Sequence, residues 1–190
     1  MNSRTNPPSP PRTGLRGGWD RLVGPDTTRV ENWLILGFAF VFAGGVFVYA
    51  QVAELGWSPL QIVLVLLISL DIAGGIIATS TVAGSRWWHR PSHSHRAQLQ
   101  FVVLHIHPFI LAAVFPALTW AKATVAYGFL LGSAVVVLGV SERLRRPVAM
   151  GLVTIGVVLA LYVVIFPHGL EWFLPLLYLK VLLGHLVPSY

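Results

Sequence analysis

LQIVLVLLISLDIAGGIIATSTV, residues 60–82, decides the fold class. A single ionisable group, Asp71, interrupts an otherwise uncharged apolar run. About 20 such residues, wound as an α-helix, cross roughly 30 Å of hydrocarbon. Five more stretches of the same character follow or precede it: Trp33–Ala53, Leu99–Thr119, Ala123–Val140, Val148–Phe166 and Trp172–Val187. The links between them (ELGWSP, GSRWWHRPSHSHRAQ, WAK, SERLRRP and PHGLE) are mostly short, so consecutive segments run antiparallel in one compact bundle. The expected architecture is all-α: a polytopic membrane bundle of six transmembrane helices over residues 32–190. A basic tail precedes it, residues 1–31, rich in Pro, Arg, Gly and Ser and expected to be disordered.

Composition excludes the main alternatives. Mean hydropathy is +0.73 and only 11% of residues are charged, against roughly a quarter in a soluble domain. Such a chain cannot cover a water-facing surface. The absence of cysteine removes disulfides, thiolate ligands and cysteine nucleophiles. A net charge of +6 could suggest nucleic acid, but its distribution points to membrane flanks. Arg4, Arg12, Arg16, Arg21 and Arg29 lie in the tail. Arg86, Arg90 and Arg96 lie in one loop, and Arg143, Arg145 and Arg146 in another. Lys122 alone lies in the links on the other side. Eleven against one places both termini in the cytoplasm. No apolar h-region of a signal peptide occurs in the tail. The arginine-over-lysine bias, with abundant Ala, Val and Gly, fits a GC-rich bacterial chain, so the expected location is the inner (cytoplasmic) membrane. Gly128 and Gly132 form a GxxxG, and Ala73, Gly74, Gly75 and Ala78 line a second small-residue face. Both allow close helix approach, or the second clears space beside Asp71.

Against this apolar background, LHIHPFILA (residues 104–112) places two histidines before a proline, and LKVLLGHL adds Lys180 and His185. At about 1.5 Å per residue, Asp71 lies roughly 16 Å from the outer end of its segment, Lys180 roughly 12 Å and His185 roughly 20 Å. His105 and His107 lie about 13 and 16 Å in from Arg96. Ionisable groups at that depth cost a few kcal/mol or more and face a bundle interior or a cavity. Three helices that each supply such groups at similar depth predict one polar interior site. On a regular helix, His105 and His107 point about 200° apart. Either one serves the site while the other makes a structural contact, or Pro108, which removes the hydrogen bond to the carbonyl of residue 104, deforms the turn. Gln98, two turns before His105, favours His105 as the site residue. Asp71 and His89 would lie about 27 Å apart on a continuous helix and meet only if the chain turns back.

Imidazole and carboxylate are natural ligands for iron, zinc or copper. His89, His93 and His95 crowd one loop, and His105, His107 and His185 extend the candidate ligand set, with Asp71 and Lys180 as the catalytic pair. The HxxxH followed by HxH at His89, His93 and His95 resembles the histidine-cluster membrane oxygenases of the desaturase and hydroxylase class, over about 20 residues and without their repeated HxxHH boxes. The resemblance implies non-haem iron, an apolar or amphipathic substrate beside membrane lipid, an electron-donor protein and a biosynthetic tailoring role. Two other chemistries suit the same residues. Haem b could take His185 with His105 or His107 as axial ligands, or Asp71, Lys180 and the histidines could pass protons in a small transporter. Zinc is a further alternative metal. A plain Asp71–Lys180 pair that fixes register accounts for two of these residues. Trp87 and Trp88 fit an interfacial aromatic belt. No phosphate loop, HExxH helix or GxSxG elbow occurs. The expected protein is a membrane metal-dependent oxidoreductase, with no role for nucleic acid.

Overall fold

A computed structural model describes residues 7–189, and among them every regular element is helical. Arg4 and the disorder expected of residues 1–6 lie outside the described residues. Short helix α1 (Gly14–Val23) precedes α2 (Arg29–Val52), α3 (Pro59–Ser80), α4 (Val82–Trp88), α5 (His95–Val103), α6 (His107–Val114), α7 (Trp120–Gly139), α8 (Glu142–Tyr162) and α9 (Phe173–Tyr178). The last runs on into a π-helical stretch, Leu179–His185. The helix starts follow local chemistry. Thr28 and Glu31 form a capping box at α2, and Ser58 and Gln61 form one at α3 with Pro59 in its first turn. Thr81, Ser94 and Thr119 cap α4, α5 and α7 through their side-chain oxygens.

Five helical stretches are long and apolar enough to cross a membrane: α2, α3, α5 with α6 (His95–Val114), α7 and α8. Where a sixth span was expected, Phe173–His185 forms an apolar helix shorter than these five. Pro167, Gly169 and Glu171 hold the chain in turns before it, and Pro188 follows it. Large apolar side chains such as Phe40, Val41, Leu67, Ile155 and Leu161 are exposed along the helices. The packed interior is built instead around Ile72, Leu130, Phe173, Leu177, Tyr178 and Leu182. Apolar side chains on the outside as well as the inside are what lipid contact allows.

The tail does not lie free along its whole length. Residues 14–23 form α1, which the expectation of disorder over 1–31 did not foresee. The Asp20 carboxylate accepts from the Arg12 backbone N–H at 2.9 Å and from its guanidinium at 2.8 and 2.5 Å. The Arg12 hydrogen bonds hold that carboxyl down to about 2. Trp19 donates its indole N–H to Asn32 at 2.6 Å, while Val23 packs beside Ile35 and Ala78. Trp87 and Trp88 donate theirs to the carbonyls of Arg21 and Leu22, at 3.0 and 3.2 Å. These indoles thus satisfy acceptors at the end of α1 that no helical N–H reaches.

Small residues divide into two outcomes. Gly74 lets α2 approach α3 at Ala39, Gly75 meets the Lys180 side chain, and Gly184 meets Thr79. Gly128 and Gly132 instead face outward with nothing among the described residues opposite them, so the α7 GxxxG makes no close approach there.

Candidate functional site

Helix α3 carries Asp71 at mid-length, and Ile72 beside it is fully buried. Lys180 reaches it from the last helix: Nζ donates to Asp71 Oδ2 at 2.5 Å. The two ends of the pair differ. The Lys180 side chain is 3% exposed and that of Asp71 47% exposed, opening into a cavity. That cavity, about 310 Å³, lies between α1, α2 and α3, with Lys180 at its base and mainly apolar walls that include Ile35, Phe40, Trp88 and Phe101. Gly74 and Gly75 line it as well, so these glycines both admit close packing and clear room beside Asp71.

The π-helical stretch explains how one short helix supplies two inward polar groups. In an α-helix, residues five apart lie about 140° apart around the axis. Bonding from i to i+5, as in Leu186 N–H to Val181 O at 3.2 Å, winds a wider turn that brings such residues toward one face. Lys180 and His185 are both buried, at 3% and 0% exposure. Nothing in LKVLLGHL announces this winding.

The proline in LHIHPFILA deforms the chain, the second of the two outcomes open for the segment. Helix α5 stops at Val103 and α6 starts at His107. The Val103 carbonyl, left without a helical N–H, accepts from Tyr127 Oη at 2.7 Å. The rings of His105 and His107 come to 5.4 Å between centroids, so both stand on one side of the break. Their roles fall opposite to the sequence preference. His107 Nε2 lies 3.6 Å from Asp71 Oδ2, beyond hydrogen-bond reach but within ion-pair range. His105 makes the local contact, Nδ1 to the Phe101 carbonyl at 2.8 Å, which fixes the proton on Nδ1 because a carbonyl only accepts.

The remaining histidines do not join this cluster. The chain changes direction at Thr81, which ends α3 and caps α4, and His89 lines a different cavity from Asp71. His185 stacks on Phe101 at 3.9 Å and lies 4.9 Å from the Trp88 ring and 6.5 Å from that of His93. Phe101 also stands 4.6 Å from His105 and thus separates the deep cluster from the rim. His89 bonds through Nδ1 to the Ser85 carbonyl at 2.9 Å. Burial pushes His89 and His93 below the ordinary histidine range. His95 Nε2 accepts from the Arg145 guanidinium at 2.8 Å, which occupies one of its two ring nitrogens.

Among the described residues, no group of three or more His, Asp or Glu is placed to hold a metal ion. In the deep cluster an ammonium already sits on the carboxylate a metal would use. Phe101 and Tyr127 were not singled out by sequence, while Trp88 was read as a belt residue and Arg145 as a loop charge. Aromatic residues in apolar helices carry no signal that separates wall from filler. Comparison with known proteins returns no match to a family model, a curated protein or a solved structure.

Proposed function

We propose that this chain is a multi-pass inner-membrane protein that performs proton transfer on an apolar or amphipathic small molecule, with Asp71, Lys180 and His107 as the reacting centre. The observation that carries the reading is the Asp71–Lys180 pair, 2.5 Å long, with the carboxylate open to a cavity at membrane depth and His107 3.6 Å from the same oxygen. A carboxylate, an ammonium and an imidazole in mutual reach supply a base, an acid and a group that exchanges with either. Cavities of roughly 300 Å³ and above with few convergent polar groups are what small ligands occupy. His105, its Nδ1 proton committed to Phe101, presents Nε2 as an acceptor beside His107.

All six apolar segments cross the bilayer in this reading, and both termini are cytoplasmic. Tyr49 Oη meets His168 Nε2 at 3.2 Å just before the last helix, and Ser189 N–H meets Ser85 Oγ at 3.0 Å just after it. These contacts support a last helix that runs from one end of α3 to the other, opposite sides of the bilayer. A reporter fused after Tyr190 is expected to read cytoplasm, and one at Trp120–Lys122 the outside. A matching signal from the two positions overturns the sixth crossing.

A metal-dependent oxidoreductase, with non-haem iron, haem b or zinc and an electron-donor protein, is the second reading. One observation favours it: His89 Nε2, His93 Nε2 and both His185 nitrogens are buried without hydrogen-bond partners. Imidazoles whose far nitrogen bonds a carbonyl, as His89 does, suit metal ligation. Two measurements on one preparation separate the readings. Mass spectrometry of apolar extracts from membranes holding wild type or Asp71→Asn is expected to show one amphiphile class that changes with the variant. Metal analysis is expected to show no stoichiometric metal. Bound metal lost in His93→Ala reverses the order of the two readings, and unchanged extracts remove the proton-transfer reading.

A further inference from the structure

At the rim beyond Trp88 lies a second cavity, about 430 Å³, separate from the deep one and lined mainly by polar residues of the α4–α5 loop, α5 and α8, with Pro91 and Pro188. Its chemistry is basic. Arg90 and Arg145 both line it, and Glu142, at its exposed edge, is the one carboxylate in the lining. Arg145 is 7% exposed, yet among the described residues no carboxylate pairs with it: its guanidinium bonds to His95 at 2.8 Å and its Nε is buried without a partner. Gln98, 3% exposed, lines the same space with Oε1 unpartnered. A buried guanidinium normally has an anionic partner, since an unpaired buried charge is strongly destabilising. The start of α5 faces the cavity at Ser94 and His95, and no acidic residue stands in its first turn to neutralise the helix end.

We propose that this rim cavity binds a phosphate-type anion, with Arg145 as the buried anchor and Arg90 as the second guanidinium at the mouth. The fork of Arg145, with Nε free, matches the planar two-point recognition of phosphate oxygens. Arg90 is held over the Trp87 ring at 3.8 Å, which fixes its approach to the cavity. The same chemistry belongs to a free phosphate compound and to a phosphate-bearing lipid headgroup. The site stands apart from the Asp71 centre and does not depend on it.

The test uses the full-length protein in two arms. In detergent, inorganic pyrophosphate is titrated calorimetrically into wild type, Arg145→Gln, Arg90→Gln and, as a control, Arg143→Gln, whose exposed side chain lies off the lining. In phosphatidylcholine bilayers, thermal unfolding is compared with and without phosphatidic acid. Saturable pyrophosphate binding, weakened about tenfold or more by Arg145→Gln and by Arg90→Gln but not by Arg143→Gln, supports a site for a soluble phosphate. Stabilisation by phosphatidic acid that is lost in the same two variants supports a lipid headgroup. Arg90→Gln alters only the mouth, so the test stands if Arg145→Gln fails to fold. Absence of both effects in wild type overturns the proposal, as does binding that both variants leave intact. So does saturable zinc binding that His93→Ala abolishes, because it would assign the cavity to a metal.

Discussion

Asp71→Asn is expected to destabilise the folded protein by about 3–5 kcal/mol, because it leaves a buried ammonium without its counter-charge. Lys180→Met is expected to cost less. The two variants differ because the partners differ in burial: Lys180 is 3% exposed, Asp71 47%, and the Asp71 carboxylate keeps His107 3.6 Å away as a substitute partner. Asp71→Asn with Lys180→Met removes both charges together and is expected to return close to wild-type stability, because no uncompensated buried charge remains. Thermal unfolding of the detergent-purified proteins reads the three values. Chemistry then separates from packing. If the pair reacts with a ligand, the double variant is stable yet shows the same altered membrane extract as Asp71→Asn. If the pair only fixes helix register, the double variant restores the wild-type extract, and the catalytic assignment of both residues fails.

How far these residues could be read in advance depended on which physical rule placed them. Asp71 and Lys180 were legible because an ionisable group in an apolar run must find a partner, and each was the only strong partner of opposite charge at the other's depth. The five long spans were legible for the same reason of length and charge. Where the backbone leaves α-helical geometry, the rules stop helping. Pro108 signals a break, but the break also involves Tyr127, which catches the carbonyl of Val103 from 24 residues further along the chain. A 200° separation computed on an ideal helix therefore became two rings 5.4 Å apart.

The π winding of Leu179–His185 was illegible for a different reason. No residue type demands it, and the packing of Lys180 against Gly75 and of Gly184 against Thr79 is tertiary. Helix α1 was hidden by composition. A Pro- and Arg-rich tail has little to bury, yet Trp19 and Val23 suffice once Arg12 and Asp20 close the turn and two distant indoles cap its end. The histidine loop does not collapse onto the deep cluster. Three imidazoles within seven residues suggest one centre, but Arg145 takes the His95 nitrogen and Phe101 divides the rim from the deep cluster.

Gly75→Ala is expected to lower the Asp71-dependent change in the membrane extract about tenfold or more while leaving the fold nearly as stable as wild type. A Cβ at this position overlaps Lys180 Cε and presses on Nζ at 3.2 Å. The atoms in the way belong to the far end of a flexible side chain, so Lys180 shifts rather than the helices. Alanine also gains roughly 1 kcal/mol over glycine within a helix, which offsets the strain. Both charges survive in this variant, and only their geometry moves. A displacement near 1 Å in a reacting group can cost as much as about a hundredfold. The sign of the stability effect supplies the control. In a Lys180→Ala background the obstructing atoms are gone, so adding Gly75→Ala is expected to raise the unfolding midpoint by its helix preference alone. Additive behaviour in the two backgrounds would mean that Gly75 and Lys180 do not touch, since residues in contact show coupling and distant ones do not. Loss of the extract phenotype in Gly75→Ala, with stability kept and coupling present, ties the function to the position of the Lys180 ammonium rather than to its charge.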